Sequence, residues 1–180
     1  VEKGAAVGAH ILSGAVVDPI ALRELMPDFL EQGCPVDAQV NADAVWYLTE
    51  SRKIEAPIAP PPLKNKGKYI ISLSRMCEWL AEKCEEAGIN IFPEFPASEI
   101  LYDESDRVVG VRTGDKGIDR EGKPKANFEP GVDLFAKITV LGEGSRGSLA
   151  KHLVQRLGLN KGKEPQVYSL GVKELWEVPA

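Results

Sequence analysis

The chain has 180 residues, of which 43% are apolar, 27% charged and 7% aromatic, a composition typical of a globular protein and not of a disordered or fibrous one. Its 22 Lys and Arg against 27 Asp and Glu give a net charge of -5, which argues against a nucleic-acid partner because such a surface needs clustered positive charge. No run approaches the roughly 20 apolar residues that a membrane-spanning helix requires.

The first predicted element is a short helix after Asp18 and Pro19, a pair typical of a helix start, which ends at Pro27. Further along, β-prone runs at 45–48 and 70–73 flank a proline-rich stretch. Proline removes backbone donors, so this stretch is predicted to be an extended loop.

A longer, amphipathic helix is predicted over residues 74–87, because Cys77, Leu80 and Cys84 recur at three- and four-residue steps. A strand is predicted directly after it, at 89–92. A helix followed at once by a strand is typical of half of a parallel crossover unit.

Two hairpins are predicted next. Residues 98–102 and 108–113 alternate around a charged turn, and residues 119–122 have the composition of a second turn. A small antiparallel sheet is therefore expected as an insertion.

A buried strand is predicted at 136–141, followed by a glycine turn and a helix that reaches Gly158, with a further strand at 167–172. Gly142, Gly144 and Gly147 have the G-x-G-x-x-G spacing that brings backbone close to a phosphate at a helix N-terminus. The alternative is a tight turn that merely needs glycine dihedral angles.

Several segments together resemble the electron transfer flavoprotein–ubiquinone oxidoreductase family. They are VEK at 1–3, GAHILSGA at 8–15, DP at 18–19, the stretch from the prolines at 60–62 to YIISL at 69–73, DKGID at 115–119, GKPK at 122–125, GEGSRGSLAK at 142–151 and GVKELW at 171–176. The resemblance extends in order along essentially the whole chain.

The resemblance implies an α/β fold with α+β insertions: a partial Rossmann-like FAD-binding domain of the glutathione-reductase-like type with an inserted antiparallel sheet. Residues 1–42 and 74–180 would form this domain, with the inserted hairpins at 98–131. Residues 43–73 would belong to a quinone- and membrane-facing region. The opening strand with the first phosphate loop, and the cysteine-rich region, would lie outside the chain.

The resemblance also implies which residues contact FAD. Glu2 corresponds to the acid that binds the adenosine ribose, and Ser13 and Gly14 to a loop near the flavin and its phosphates. Pro96 and Ala97 would touch the adenine. The second FAD-contact motif corresponds to Gly142, Gly144 and Ser145, with the following helix directing its N-terminus at the cofactor.

Members of this family pass electrons from electron transfer flavoprotein, through FAD and a [4Fe-4S] cluster, to ubiquinone. The resemblance therefore implies these two partners and a peripheral position on a membrane surface, either the bacterial cytoplasmic membrane or the matrix side of the mitochondrial inner membrane. Because the flavin performs the redox chemistry, no side chain is predicted to be catalytic, and no metal ligand is predicted within the chain.

One segment has the pattern of a membrane contact. Ile58, Pro60 and Leu63 form an apolar tip with lysines after it, which is typical of shallow insertion into an anionic surface. The alternative is a proline loop packed on its own domain. At the level of the whole chain, the alternatives are a geranylgeranyl-reductase-like flavoprotein and a flavin-free binding or assembly module.

Overall fold

The computed structural model describes residues 1–58, 60–172, 174, 176 and 177. Its described elements are three helices, ten strands and one 3-10 turn. The helices are α1 Ile20–Leu25, α2 Leu73–Glu86 and α3 Leu149–Leu157, and the 3-10 turn is Pro61–Leu63. The strands are β1 Gly14–Val17, β2 Val36–Gln39, β3 Trp46–Leu48, β4 Lys53–Glu55, β5 Tyr69–Ser72, β6 Ala97–Tyr102, β7 Val108–Thr113, β8 Lys116–Ile118, β9 Pro124–Glu129 and β10 Asp133–Phe135.

The described strands form four small sheets, with the orders β1-β5-β2, β10-β7-β6, β3-β4 and β8-β9. Every pairing among these strands is antiparallel. A mixed α/β fold with small antiparallel sheets therefore agrees with the expectation. The Rossmann-like type of the prediction stays a prediction, because a parallel sheet is not found among the described strands.

The chain divides into two compact units, one of residues 4–91 and the other of residues 1–3 with 92–180. These are divisions of the structure, whereas the predicted domains at 1–42 with 74–180 and at 43–73 are assignments of function. Those functional assignments stay a prediction.

In the unit of residues 4–91, the core lies between the sheet β1-β5-β2 and helix α2. Its most buried apolar side chains are Phe29, Cys34, Tyr69, Ile71, Met76 and Trp79. The indole N–H of Trp79 donates to the Gln32 carbonyl at 3.1 Å, so this buried polar group is paired. The predicted helix is confirmed, but its buried side chains are Met76 and Trp79, whereas the predicted Cys77, Leu80 and Cys84 are half-buried.

In the other unit, the two predicted hairpins are confirmed as β6-β7 and β8-β9, and β10 adds a third strand beside β7. Helix α3 packs against β6, with Leu149 and Ile100 buried. The Arg112 guanidinium donates to both carboxylate oxygens of Asp133, at 2.6 and 2.9 Å, and joins β7 to β10.

Three predicted strands are absent from the structure. Residues 89–92, 136–141 and 167–172 have no strand structure, and Ile138 and Val140 are 80% and 85% exposed. The Ala136 N–H donates to the Val109 carbonyl of β7 at 2.9 Å, but a strand needs a continuous ladder of such bonds, and the described residues form no ladder along these three segments.

Gly110 gives a testable consequence of the three-stranded sheet. A Cβ at Gly110 would lie 2.0 Å from the Leu134 carbonyl oxygen, so Gly110→Ala must displace β10. We expect a loss of about 1–3 kcal/mol of unfolding free energy, the usual cost of overpacking. Gly114→Ala is the matched control, because its nearest neighbour would be 3.8 Å away. Equal urea midpoints for the two variants would contradict the observed pairing of β7 with β10.

Candidate functional site

The glycine turn at 142–147 connects an irregular segment to helix α3. Gly144 has a φ of +76° and Gly147 a φ of +59°, values that glycine adopts without strain. A Cβ on Gly142 or Gly144 would meet nothing within 4 Å, and Gly142, Gly144 and Ser145 are exposed. The outer side of the turn therefore offers open backbone.

The inner side of the turn is filled by the side chain of Glu143. Its carboxylate accepts hydrogen bonds from the backbone N–H groups of Ser148 at 3.0 Å, Leu149 at 3.1 Å and Ala150 at 2.7 Å. These N–H groups lie at the start of α3, where the helix itself provides no acceptor. The carboxylate therefore caps the helix, an interaction generally worth about 1 kcal/mol.

The environment of Glu143 lowers the pKa of its carboxyl group. Partial desolvation is the largest single influence and acts to raise this pKa, but the three N–H donors and the charge of His152 together outweigh it. The cap therefore stabilises the fold above the ordinary glutamate pKa and is lost as the pH falls through the lowered value.

This cap bears on the predicted phosphate contact. The N–H groups that the sequence pattern offers to a cofactor are donated to a carboxylate of the chain itself. What stays open is the backbone of Gly142, Gly144 and Ser145 on the outer side.

Glu2, Pro96 and Ala97 lie close together in the unit that also contains the turn. The Glu2 backbone N–H donates to the Phe92 carbonyl, and the Glu2 carbonyl accepts from the Phe95 N–H, both at 2.9 Å. The Pro96 carbonyl accepts from the Gly114 N–H at 2.8 Å, and Ala97 begins β6. The structure thus brings together the two segments predicted to bind the adenosine portion.

Ser13 and Gly14 lie in the unit of residues 4–91, at the start of β1. The Ser13 carbonyl accepts from the Leu73 N–H at 3.0 Å, and Gly14 pairs with Ser72. A Cβ at Gly14 would lie 3.3 Å from the Ile71 carbonyl oxygen. Both residues are exposed, so their backbone is accessible at the edge of this sheet.

The proline-rich segment at 58–63 is exposed in the same unit. Ile58 is 74% and Leu63 48% exposed, and Pro60 is exposed as well, while Ala59 lies outside the described residues. The segment is not wholly extended, since Pro61–Leu63 form a 3-10 turn.

Hydrogen bonds hold the chain directly after the C-terminal end of this segment. There the carboxylate of Asp43 accepts from the Asn65 and Lys66 N–H groups at 2.8 and 3.1 Å. Asp43 therefore holds the backbone that follows the apolar tip.

Sequence reasoning missed a second exposed apolar element, the hairpin of β3 and β4. Its exposed large apolar side chains are Trp46, Tyr47, Leu48 and Ile54. The sequence predicts only a β-prone run at 45–48, and such a run does not show whether its apolar side chains are exposed. The hairpin immediately precedes the proline-rich segment.

Among the described residues, no group of three or more His, Cys, Asp or Glu side chains could hold a metal ion. Cys34, Cys77 and Cys84 are free thiols. In the same part of the chain, no helix combines the length and the apolar character needed to span a membrane.

The chain is similar over nearly its whole length to proteins named electron transfer flavoprotein-ubiquinone oxidoreductase. It is 45% identical to the mitochondrial protein of Arabidopsis thaliana and 44% identical to that of Homo sapiens, each over 99% of the chain. The probable enzyme of Acinetobacter baylyi is 46% identical over the same share. No protein-family model matches the chain.

These matches cover 28%, 29% and 32% of the three relatives, so the chain spans about 30% of their length. Identity at this level over 99% of the chain establishes homology to one part of these proteins. The resemblance found in the sequence is thereby confirmed.

Proposed function

We propose that the chain, within a protein of its relatives' full length, is part of an FAD-dependent oxidoreductase that passes electrons from electron transfer flavoprotein to ubiquinone. The observation that carries this proposal is the 44–46% identity over 99% of the chain to proteins of that name. We call this chain extended to the length of its relatives the family-length protein. The same names favour this function over a geranylgeranyl-reductase-like flavoprotein.

Open backbone on the outer side of the glycine turn supports a flavin contact there. Gly142 and Gly144 have space where a Cβ would lie, so backbone can approach the cofactor there. In our proposal, Ser145 and this backbone contact the cofactor, as do Ser13 and Gly14.

In the same proposal, the adenosine portion is bound by Glu2 together with Pro96 and Ala97, which the structure holds close to one another. When bound, FAD supplies the redox chemistry, and the chain binds and orients it. No side chain of the chain is assigned a catalytic role.

The [4Fe-4S] cluster belongs to other parts of the family-length protein in this proposal. The described residues hold no suitable group of ligands, so no step is assigned to a cluster here. Such clusters require four thiolates in most proteins, and this chain has three separate cysteines.

We further propose that the segment at 58–63 touches the membrane from which ubiquinone is taken. Its exposed Ile58 and Leu63 are followed by the lysines at 64, 66 and 68, and apolar side chains beside cations favour an anionic lipid surface. The exposed Trp46 in the neighbouring hairpin supports the same surface, because tryptophan is enriched at lipid–water boundaries. The protein would then be peripheral, on the bacterial cytoplasmic or mitochondrial inner membrane.

The first experiment is flavin analysis. The family-length protein should purify with bound FAD. In equilibrium dialysis, the dissociation constant of the 180-residue chain alone for FAD should be at least about 100-fold higher. The reason is that the chain carries one G-x-G-x-x-G sequence and so provides only some of the contacts of a dinucleotide.

Tight, stoichiometric binding by the chain alone would contradict this division of contacts. A family-length protein without a flavin spectrum would favour a binding or assembly module. A flavoprotein that fails to oxidise reduced electron transfer flavoprotein would favour the geranylgeranyl-reductase-like alternative.

A further inference from the structure

We propose that Glu143 is a positioning residue for the flavin: its ionised carboxylate holds the glycine turn against the start of α3, so that the cofactor meets the outer backbone of the turn and not the helix N-terminus. This inference rests on the proposed function. It departs from the usual reading of a G-x-G-x-x-G turn, in which a phosphate takes the helix N-terminus.

The acceptor position at the start of α3 is already filled. Three consecutive N–H groups, those of Ser148, Leu149 and Ala150, donate to the two oxygens of Glu143 at 2.7–3.1 Å. A phosphate oxygen at the same donors would displace a carboxylate or lie against it, and like charges at that distance repel. The chain therefore carries its own anion at this helix start.

The shape of the turn is consistent with this role of Glu143. Gly147, with a φ of +59°, reverses the chain so that Glu143 reaches donors five to seven residues ahead of it. A Cβ at Gly147 would lie 2.8 Å from the Ala150 Cβ and 3.2 Å from Glu143 Oε2, so the turn is closely packed on this side. On the other side, Gly142 and Gly144 face open space.

The carboxylate therefore links the two sides of the turn. Its three hydrogen bonds fix the backbone of residues 142–147, and this backbone is the part left free to contact a cofactor. Because Glu143 acts through the turn, it is not itself a cofactor ligand.

The test compares Glu143→Ala and Glu143→Gln with Gly158→Ala. Gly158 ends α3 in the left-handed conformation, with a φ of +61°, so its replacement weakens the same helix at the far end and leaves the turn intact. Amide hydrogen exchange at residues 148–150 is measured in the 180-residue chain. Flavin content and FAD dissociation are measured in the family-length protein.

For Glu143→Ala we expect exchange at residues 148–150 to accelerate about fivefold or more and the affinity for FAD to fall about fivefold, in line with the loss of a helix cap. Glu143→Gln keeps an oxygen acceptor without the charge and should restore part of both losses. Gly158→Ala should leave both the exchange at residues 148–150 and the flavin content near those of the unsubstituted protein.

Three results would overturn the inference alone. Tighter FAD binding by Glu143→Ala would mean that the carboxylate competes with a cofactor phosphate at the helix start. Unchanged exchange and flavin content would mean that the cap does not hold the turn. Equal flavin loss in Gly158→Ala would reduce Glu143 to a stabiliser of α3. An unsubstituted family-length protein without flavin would instead overturn the proposed function, and this role with it.

Discussion

Replacing Gly144 with valine is expected to lower the flavin content of the family-length protein about tenfold or more, the size of effect that follows the loss of one charge-assisted contact. Gly144 has a φ of +76° and open space around it, so its backbone can approach a cofactor. A branched side chain would fill that space. The ratio of flavin to protein absorbance measures the effect directly.

The control for Gly144→Val is Gly122→Val. Gly122 also has a positive φ, +83°, and also has nothing within 4 Å of its Cβ position, but it lies in the turn between β8 and β9. Both variants carry the same backbone strain, of order 1–3 kcal/mol, so a difference in flavin content reports the cofactor and not the strain. Equal losses would make the glycine turn a folding element.

The choice of control depends on the structure. Gly110 in the β6-β7 hairpin lies far from the turn in sequence, but a Cβ there would collide with the Leu134 carbonyl oxygen. Flavin loss in a valine variant at Gly110 could therefore result from misfolding of the sheet and would not report on the cofactor site.

Replacing Ile58 and Leu63 together with aspartate is expected to weaken binding of the family-length protein to anionic liposomes about tenfold or more and to slow quinone reduction. Burying a charged side chain at the lipid boundary is costly, and the change also removes two apolar contacts. The two residues are 74% and 48% exposed, so their substitution leaves the core of the unit intact. Liposome sedimentation at fixed salt measures the binding, and flavin content should stay constant.

The matched control replaces Ile118 and Phe128 with aspartate. These exposed apolar residues lie on β8 and β9, in the other compact unit. Their replacement by two aspartates adds the same charge to the protein as the Ile58 and Leu63 variant does. This variant should bind liposomes nearly as well as the unsubstituted protein. If the two double variants bind equally, or if the Ile58 and Leu63 variant keeps normal quinone turnover, the segment at 58–63 does not face the membrane.

Local elements of the fold could be predicted because their signals lie in neighbouring residues. The helix at Leu73–Glu86 follows from apolar spacing, and the hairpin of β6 and β7 from alternation around a charged turn. The segments at 136–141 and 167–172 could not be placed in the same way. Their apolar runs fit a buried strand, but a strand also needs a partner, and the local sequence does not say whether one is present.

The site was predictable to a similar extent. Glycine spacing located the turn at 142–147, since three glycines before a helix are a local signal. The spacing assigned the free N–H groups to a ligand, whereas the structure gives them to Glu143. A carboxylate six residues before the first residue of a helix lies outside the usual capping pattern, so its role appears only in three dimensions.

In our proposal, this chain serves flavin-dependent electron transfer to ubiquinone. The most direct test combines three components: the family-length protein, anionic liposomes that contain ubiquinone, and reduced electron transfer flavoprotein. Reoxidation of the electron transfer flavoprotein is then followed. We predict ubiquinone-dependent reoxidation by a protein that carries FAD, with turnover lowered in the Gly144→Val variant. A flavin-free protein, or a flavoprotein that leaves reduced electron transfer flavoprotein unchanged in the presence of ubiquinone, would contradict it.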